Sequence, residues 1–117
     1  MTFSENVNFE ENTAVSYGGA VYNAGNMTFE KNVTFSGNGS TTQDVLHNAA
    51  DGTLTFNQGI SYTNNGNAES GTLGTFTNKG ITNIAGNAIF KNTNGQAIQN
   101  DGTFTISGAE NITISNK

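Results

Sequence analysis

The feature that most constrains this chain is a repeat. A glycine recurs four residues before a large apolar residue, at Gly25/Phe29, Gly52/Phe56, Gly80/Ile84 and Gly102/Ile106. A second apolar anchor follows the first by six residues in Phe3/Phe9, Phe29/Phe35, Phe56/Tyr62 and Ile84/Phe90, and by eight in Ile106/Ile114. A third precedes the glycine: Val21, Leu46, Phe76 and Ile98. First anchors are therefore 26, 27, 28 and 22 residues apart, and residues 1–117 read as one repeating unit with no internal boundary. Self-similarity at this period is the signature of a solenoid, in which each repeat buries its apolar residues only against its neighbours.

Around the anchors apolar and polar residues alternate, as in Met27-Thr28-Phe29, Val33-Thr34-Phe35, Leu54-Thr55-Phe56 and Ile112-Thr113-Ile114. Period-two alternation of β-branched and aromatic residues predicts half-buried strands. Three short strands in each repeat of 22–28 residues predict an all-β parallel β-solenoid of about five coils. Each strand then pairs with its equivalent one coil away, at about 4.8 Å. Stacking also answers a compositional objection. Only 33% of the residues are hydrophobic, a level that usually signals disorder. A solenoid needs few inward residues per coil, because neighbouring coils join them into continuous columns.

Asparagine follows the same register. It stands three residues after the first anchor (Asn6, Asn32, Asn87), three after the second (Asn12, Asn38, Asn65) and two after the third (Asn23, Asn48, Asn78, Asn100). Gly59 and Thr93 replace it once each. Asn tolerates the left-handed backbone region of corners, and stacked amides can bond along the axis as ladders.

Composition excludes several functions. Four Lys and no Arg, with a net charge of −5, argue against a phosphate-tracking nucleic-acid binder. The absence of Cys removes disulfides and thiolate-bound zinc. No apolar run approaches the ~18 residues of a membrane-spanning helix, so membrane insertion by this segment is not expected.

Some of these repeats carry a family likeness. Phe3-Ser-Glu-Asn6, Phe9-Glu-Glu-Asn12, Phe29-Glu-Lys-Asn32 and Phe35-Ser-Gly-Asn38, together with Gly18-Gly19-Ala20-Val21, resemble the repeat of the chlamydial polymorphic membrane proteins. That repeat occurs in autotransporter passengers and related bacterial surface proteins. The resemblance implies a right-handed parallel β-helix, secretion to the outer membrane and cell surface, and a virulence role as an adhesin for a protein or glycan receptor on host cells. Later repeats depart from the pattern, with Gly95-Gln96-Ala97-Ile98, Phe56-Asn-Gln-Gly59 and Phe90-Lys-Asn-Thr93. The chain opens inside a repeat without a charged-then-apolar leader. The expectation is an excised passenger segment with incomplete terminal coils, whose signal peptide and translocator lie elsewhere. Uncapped ends also raise end-to-end self-association.

Catalysis has little support in the residues. Asp51 and Asp101 each precede a repeat glycine on coils two apart, about 10 Å, which is poor spacing for a glycosidase pair; Asp-Gly turns explain them. Glu5 and Glu30 take corresponding corners and read as solvated. His47, the sole histidine, lies beside inward Leu46 and is expected to be a surface residue. No metal or cofactor motif is present. The motifs Thr53-Leu-Thr55 and Thr103-Phe-Thr105 resemble those of ice-binding solenoid faces, but Ile81 and Asn83 interrupt the array. Sequons at Asn26, Asn32, Asn38 and Asn111 are products of the repeat.

Recognition is assigned to the variable step between the second and third anchors. Its longest version, residues 66–75, reads as a small flexible loop. Gly66, Asn67, Glu69, Ser70, Thr72 and Leu73, with the outward aromatic Tyr22, are the candidate recognition residues. The expected function is a non-enzymatic stalk and adhesive module.

Overall fold

The computed structural model describes residues 1–108 and 112–116, so Glu110 and the Asn111 sequon lie outside the described residues. The first coil runs β1 (Thr2–Phe3), β2 (Val7–Glu10), β3 (Thr13–Ala14) and β4 (Val21–Asn23). The second runs β5 (Asn26–Phe29), β6 (Val33–Ser36), β7 (Gly39–Ser40) and β8 (Leu46–Asn48). The third contains β9 (Thr53–Phe56), β10 (Ile60–Thr63) and β11 (Phe76–Asn78), and the fourth β12 (Ile81–Ala85), β13 (Ala88–Thr93) and β14 (Ile98–Asn100). β15 (Thr103–Ser107) and β16 (Ile112–Asn116) continue two of the sheets. The described residues thus form an all-β solenoid of about four turns with two strands of a further coil, and contain no helix.

The sheets are parallel and run along the axis, in the orders β1-β5-β9-β12-β15, β2-β6-β10-β13-β16 and β4-β8-β11-β14. Register follows the repeat residue by residue: Phe3 pairs with Phe29, Phe29 with Phe56, and Ile84 with both Phe56 and Ile106. In the second sheet Phe9, Phe35, Tyr62, Phe90 and Ile114 align. In the third, Val21, Leu46, Phe76 and Ile98 align. One feature differs from the expected three strands per repeat: a fourth short strand pair, β3 with β7, closes the corner of the first two coils. The principal extents are 36 × 28 × 26 Å.

Stacking produces the core. Phe3, Phe29 and Phe56 lie nearly parallel, with centroids 4.8 and 5.0 Å apart, matching the strand spacing that sheet pairing imposes. Phe9 and Phe35 repeat this at 4.8 Å. Phe29, Phe35, Phe56, Tyr62, Phe76 and Phe90 are all fully buried.

One corner column is an unbroken amide ladder. Asn23 Nδ2 donates to Asn48 Oδ1 (2.9 Å), Asn48 to Asn78 (2.8 Å) and Asn78 to Asn100 (2.9 Å). Each amide also reaches the carbonyl of the nearby repeat glycine. The glycines are needed for close approach: a Cβ on Gly80 would strike the Gly52 and Ala49 carbonyls, and one on Gly102 the Gly80 carbonyl. A second ladder links Asn12, Asn38 and Asn65 at 3.0 and 3.1 Å. It stops where the fourth rung is Thr93, whose Oγ1 is buried without a partner. The third expected ladder does not form as a chain of amides. Asn32 N donates to Asn6 Oδ1 (3.2 Å) between exposed residues, and Gly59 interrupts the column.

Beside the second ladder, Glu11, Gly37, Asn64 and Asn92 all have positive φ (55°, 70°, 57° and 56°). Left-handed geometry therefore belongs to the residue before each ladder position, rather than to the ladder asparagines as the sequence suggested. Gly and Asn suit that column best.

Two substitutions test this register. Phe56→Asp should abolish cooperative folding by placing an unpaired charge in the central stack, whereas Thr55→Lys, on the opposite strand face, should retain the β-type circular dichroism. Thr93→Asn should let Asn65 donate to one more rung, raising stability in urea unfolding by about 1 kcal/mol.

Candidate recognition surface

The variable step between the second and third sheets carries the structural irregularities. In the third coil it is residues 64–75, and the structure ties this loop down. Asn67 and Thr72 exchange backbone hydrogen bonds at 2.9 Å, closing a small antiparallel hairpin. Asn67 Oδ1 accepts from Glu69 N, and Thr72 Oγ1 accepts from Asn67 N. At its base Leu73 N donates to Ser40 O and Ser40 N to Leu73 O, at 2.7 and 2.9 Å. Gly66 N reaches Asn38 O and Gly74 N reaches Asn94 O. The segment is a pinned hairpin instead of the flexible loop that its composition suggests.

Pinning divides the predicted recognition residues. Asn67, Glu69 and Ser70 are exposed at the hairpin, Thr72 and Leu73 are half-buried, and Gly66 is buried with φ 79°. Gly66 and Leu73 therefore hold the hairpin, and the tip residues present it. Below it lies a cleft of about 470 Å³ lined by Glu11, Thr13, Asn64, Asn67, Ser70 and Thr72 among others, within the size range of small-molecule sites. Its lining mixes polar and apolar surface and carries one charge, Glu11.

Tyr22 is elsewhere, on β4, and is half-exposed as its outward position predicts. Its ring stacks on His47 at 5.0 Å and 7°. Here sequence reasoning needs correction: His47 does project outward beside Leu46, but it is only 5% exposed. Tyr22 covers one side, Tyr17 leans over it at 4.8 Å, and Thr77 occupies the next rung. Its Nδ1 lies 2.6 Å from Asp44 Oδ2, a carboxylate 2% exposed. Asp44 Oδ1 accepts from Gly18 N at 2.9 Å, and Asp44 O accepts from Gly19 N. Asp44 thus braces the Gly18-Gly19-Ala20 turn of the preceding coil. Sequence reasoning passed over Asp44; its i, i+3 spacing to His47 was the available signal.

The remaining expectations can be placed on the same frame. Asp51 and Asp101 occupy equivalent exposed turns with Lys79 on the rung between them. Thr2, Thr28, Thr55, Asn83 and Thr105 form one column, and Asn26, Thr53, Ile81 and Thr103 another. The threonine array is thus real in register but broken at Ile81 and Asn83. Among the described residues no cluster of three or more His, Cys, Asp or Glu could hold a metal ion. Compared with known proteins, the chain matches no family and shows no significant similarity to a curated protein or to a solved structure.

The hairpin base also reaches the core. Tyr62, fully buried, donates its hydroxyl to Gly74 O at 2.5 Å. Burial pushes the phenol well above its ordinary value of 10.0, and the Asp44 charge adds to this, opposed by a backbone hydrogen bond at Leu46. A raised folded-state value means that the unfolded chain loses this proton first. Stability should be whole below about pH 10 and fall as pH rises through the folded value. Tyr62→Phe should cost about 1 kcal/mol at neutral pH and flatten the alkaline limb, as read by urea unfolding at stepped pH.

Proposed function

We propose that this chain is a non-enzymatic segment of a bacterial surface or secreted protein, serving as a stiff stalk that carries an adhesive face toward a host-cell receptor. The observation that carries this reading is the pinned hairpin of residues 67–72. A loop already held by its own hydrogen bonds and by β7 loses little conformational entropy on binding, and rigid scaffolds commonly present function on such loops. The resemblance of Phe3-Ser-Glu-Asn6, Phe29-Glu-Lys-Asn32 and Gly18-Gly19-Ala20-Val21 to the polymorphic membrane protein repeat supports an outer-membrane or secreted setting.

The chemistry of the side chains supports the non-enzymatic part. Among the described residues, no hydroxyl or thiol nucleophile is hydrogen-bonded to His47, whose ring partner is Asp44. Asp51 and Asp101, the pair considered for glycoside chemistry, stand two coils apart with a cation between them.

The test is binding of purified protein to cultured epithelial cells, alongside a variant carrying Ala68→Arg and Glu69→Lys at the hairpin tip. Both positions are exposed and leave the base contacts intact. Saturable binding that weakens at least about tenfold in the variant, with unchanged circular dichroism, is the expected result. Equal binding by both proteins would remove the hairpin from the adhesive face. Binding by neither would leave a passive spacer.

A further inference from the structure

The outward column of the third sheet reads Tyr22, His47, Thr77 and Gln99 in register. Thr77 and Gln99 show that stacking itself requires neither an aromatic residue nor an ionisable one here. In the first two coils the same column instead holds Tyr22 and His47, and the connections before them add Tyr17 and the buried Asp44 that pairs with the imidazole. Burying such a pair carries a desolvation penalty that an apolar replacement would avoid. Bracing the Gly18 turn accounts for Asp44, but it does not account for the imidazole or for the two rings above it.

We propose that Tyr17, Tyr22 and His47 form a subsite for a neutral sugar ring. Tyr17 and Tyr22 are 50% and 53% exposed and meet edge to face, with ring centroids 6.3 Å apart and planes at 65°, so each keeps about half of its surface open beside His47. Rigid amphipathic rings offer a large contact area at low entropic cost, and the C–H face of a pyranose is a suitable occupant. Asp44 Oδ2 engages Nδ1, so Nε2 is the ring nitrogen left for a ligand. Among the described residues no protein group hydrogen-bonds Nε2. His47 keeps 5% of its surface exposed, and Nε2 is the ring atom available to hydrogen-bond a sugar hydroxyl. The Thr77 hydroxyl lies one rung along the same column.

Charge narrows the ligand class. No Lys or Arg forms the corner, and the chain carries a net −5, so acidic sugars find no fixed positive charge there. The Asp44 carboxylate is already engaged by Gly18 N and His47, so a cationic ligand finds no free anion. This site is separate from the hairpin tip, and sugar binding here depends on the adhesive reading only for its biological meaning.

Two properties of the sequence make the test direct. His47 is the sole histidine and gives a single imidazole signal in nitrogen-15 NMR. Of the three tyrosines, Tyr62 is fully buried and serves as an internal control. The intact chain would be titrated with the methyl glycosides of galactose, glucose and mannose and with N-acetylglucosamine. N-acetylneuraminic acid and tetramethylammonium serve as charged probes. The expected result is a saturable shift of His47 Nε2 and of the Tyr17 and Tyr22 ring signals with at least one neutral sugar. Tyr62 should be unmoved, and Tyr17→Ala or Tyr22→Ala should weaken binding about tenfold with unchanged thermal melting. Should Tyr22→Ala disturb folding, Tyr17→Ala in the connecting loop decides alone. Absence of a saturable His47 shift with every neutral sugar would overturn the proposal. So would a response confined to tetramethylammonium, which would make the corner a cation site, or undiminished affinity in the folded tyrosine variant.

Discussion

Parallel pairing between successive coils forces every structural element to recur at the strand spacing, and the rest of the molecule depends on that constraint. A side chain in one coil meets its own equivalent in the next. Apolar equivalents become stacked columns such as Phe3-Phe29-Phe56. Polar equivalents must satisfy one another or be left unpartnered. Asparagine is the residue that can stack on itself and still be satisfied, since each amide offers a donor to one neighbour and an acceptor to the other. The column Asn23-Asn48-Asn78-Asn100 does this at a buried corner and holds the repeat-glycine carbonyls as well. Where the fourth rung of the other ladder is Thr93, the chain of amides ends and a hydroxyl is left unpaired.

The same rule explains how a chain with few hydrophobic residues acquires a core. Each coil contributes a handful of inward positions, and stacking buries them on both sides. It also explains the use of glycine at Gly52, Gly80 and Gly102. Their function is the close approach of backbone to backbone between coils, so the Asp-Gly and Lys-Gly turns differ in side chain without differing in path. Left-handed backbone recurs in register at another corner, where Glu11, Gly37, Asn64 and Asn92 align.

Departures from the repeat lie chiefly in the connection between the second and third sheets. Here one coil adds a hairpin fastened to Ser40, and the first two coils assemble Tyr17, Tyr22, His47 and Asp44. Neither arrangement is dictated by stacking, which needs only Thr77 and Gln99 at the equivalent rungs of the third and fourth coils. A scaffold with such strict internal equivalence makes its exceptions easy to recognise, and both proposed functions rest on exceptions of this kind.

Sequence alone determined the solenoid, its coil lengths, the inward columns and two of the three asparagine ladders. A period held at fixed offsets through residues 1–117 admits one register, and a one-residue slip would turn every inward side chain outward. Tertiary structure decided what occupies the spaces beside the coils. Residues 66–75 read as flexible because small polar residues lack local order signals, but the bonds from Leu73 to Ser40 come from the preceding coil. His47 read as exposed because alternation assigns direction and not cover. The cover comes from Tyr22 on the adjacent rung and from Tyr17, thirty residues away in sequence. Strand direction is a local property that the residue pattern encodes. Burial of an outward side chain depends on which neighbours from other coils fold over it, and only the assembled solenoid brings those together.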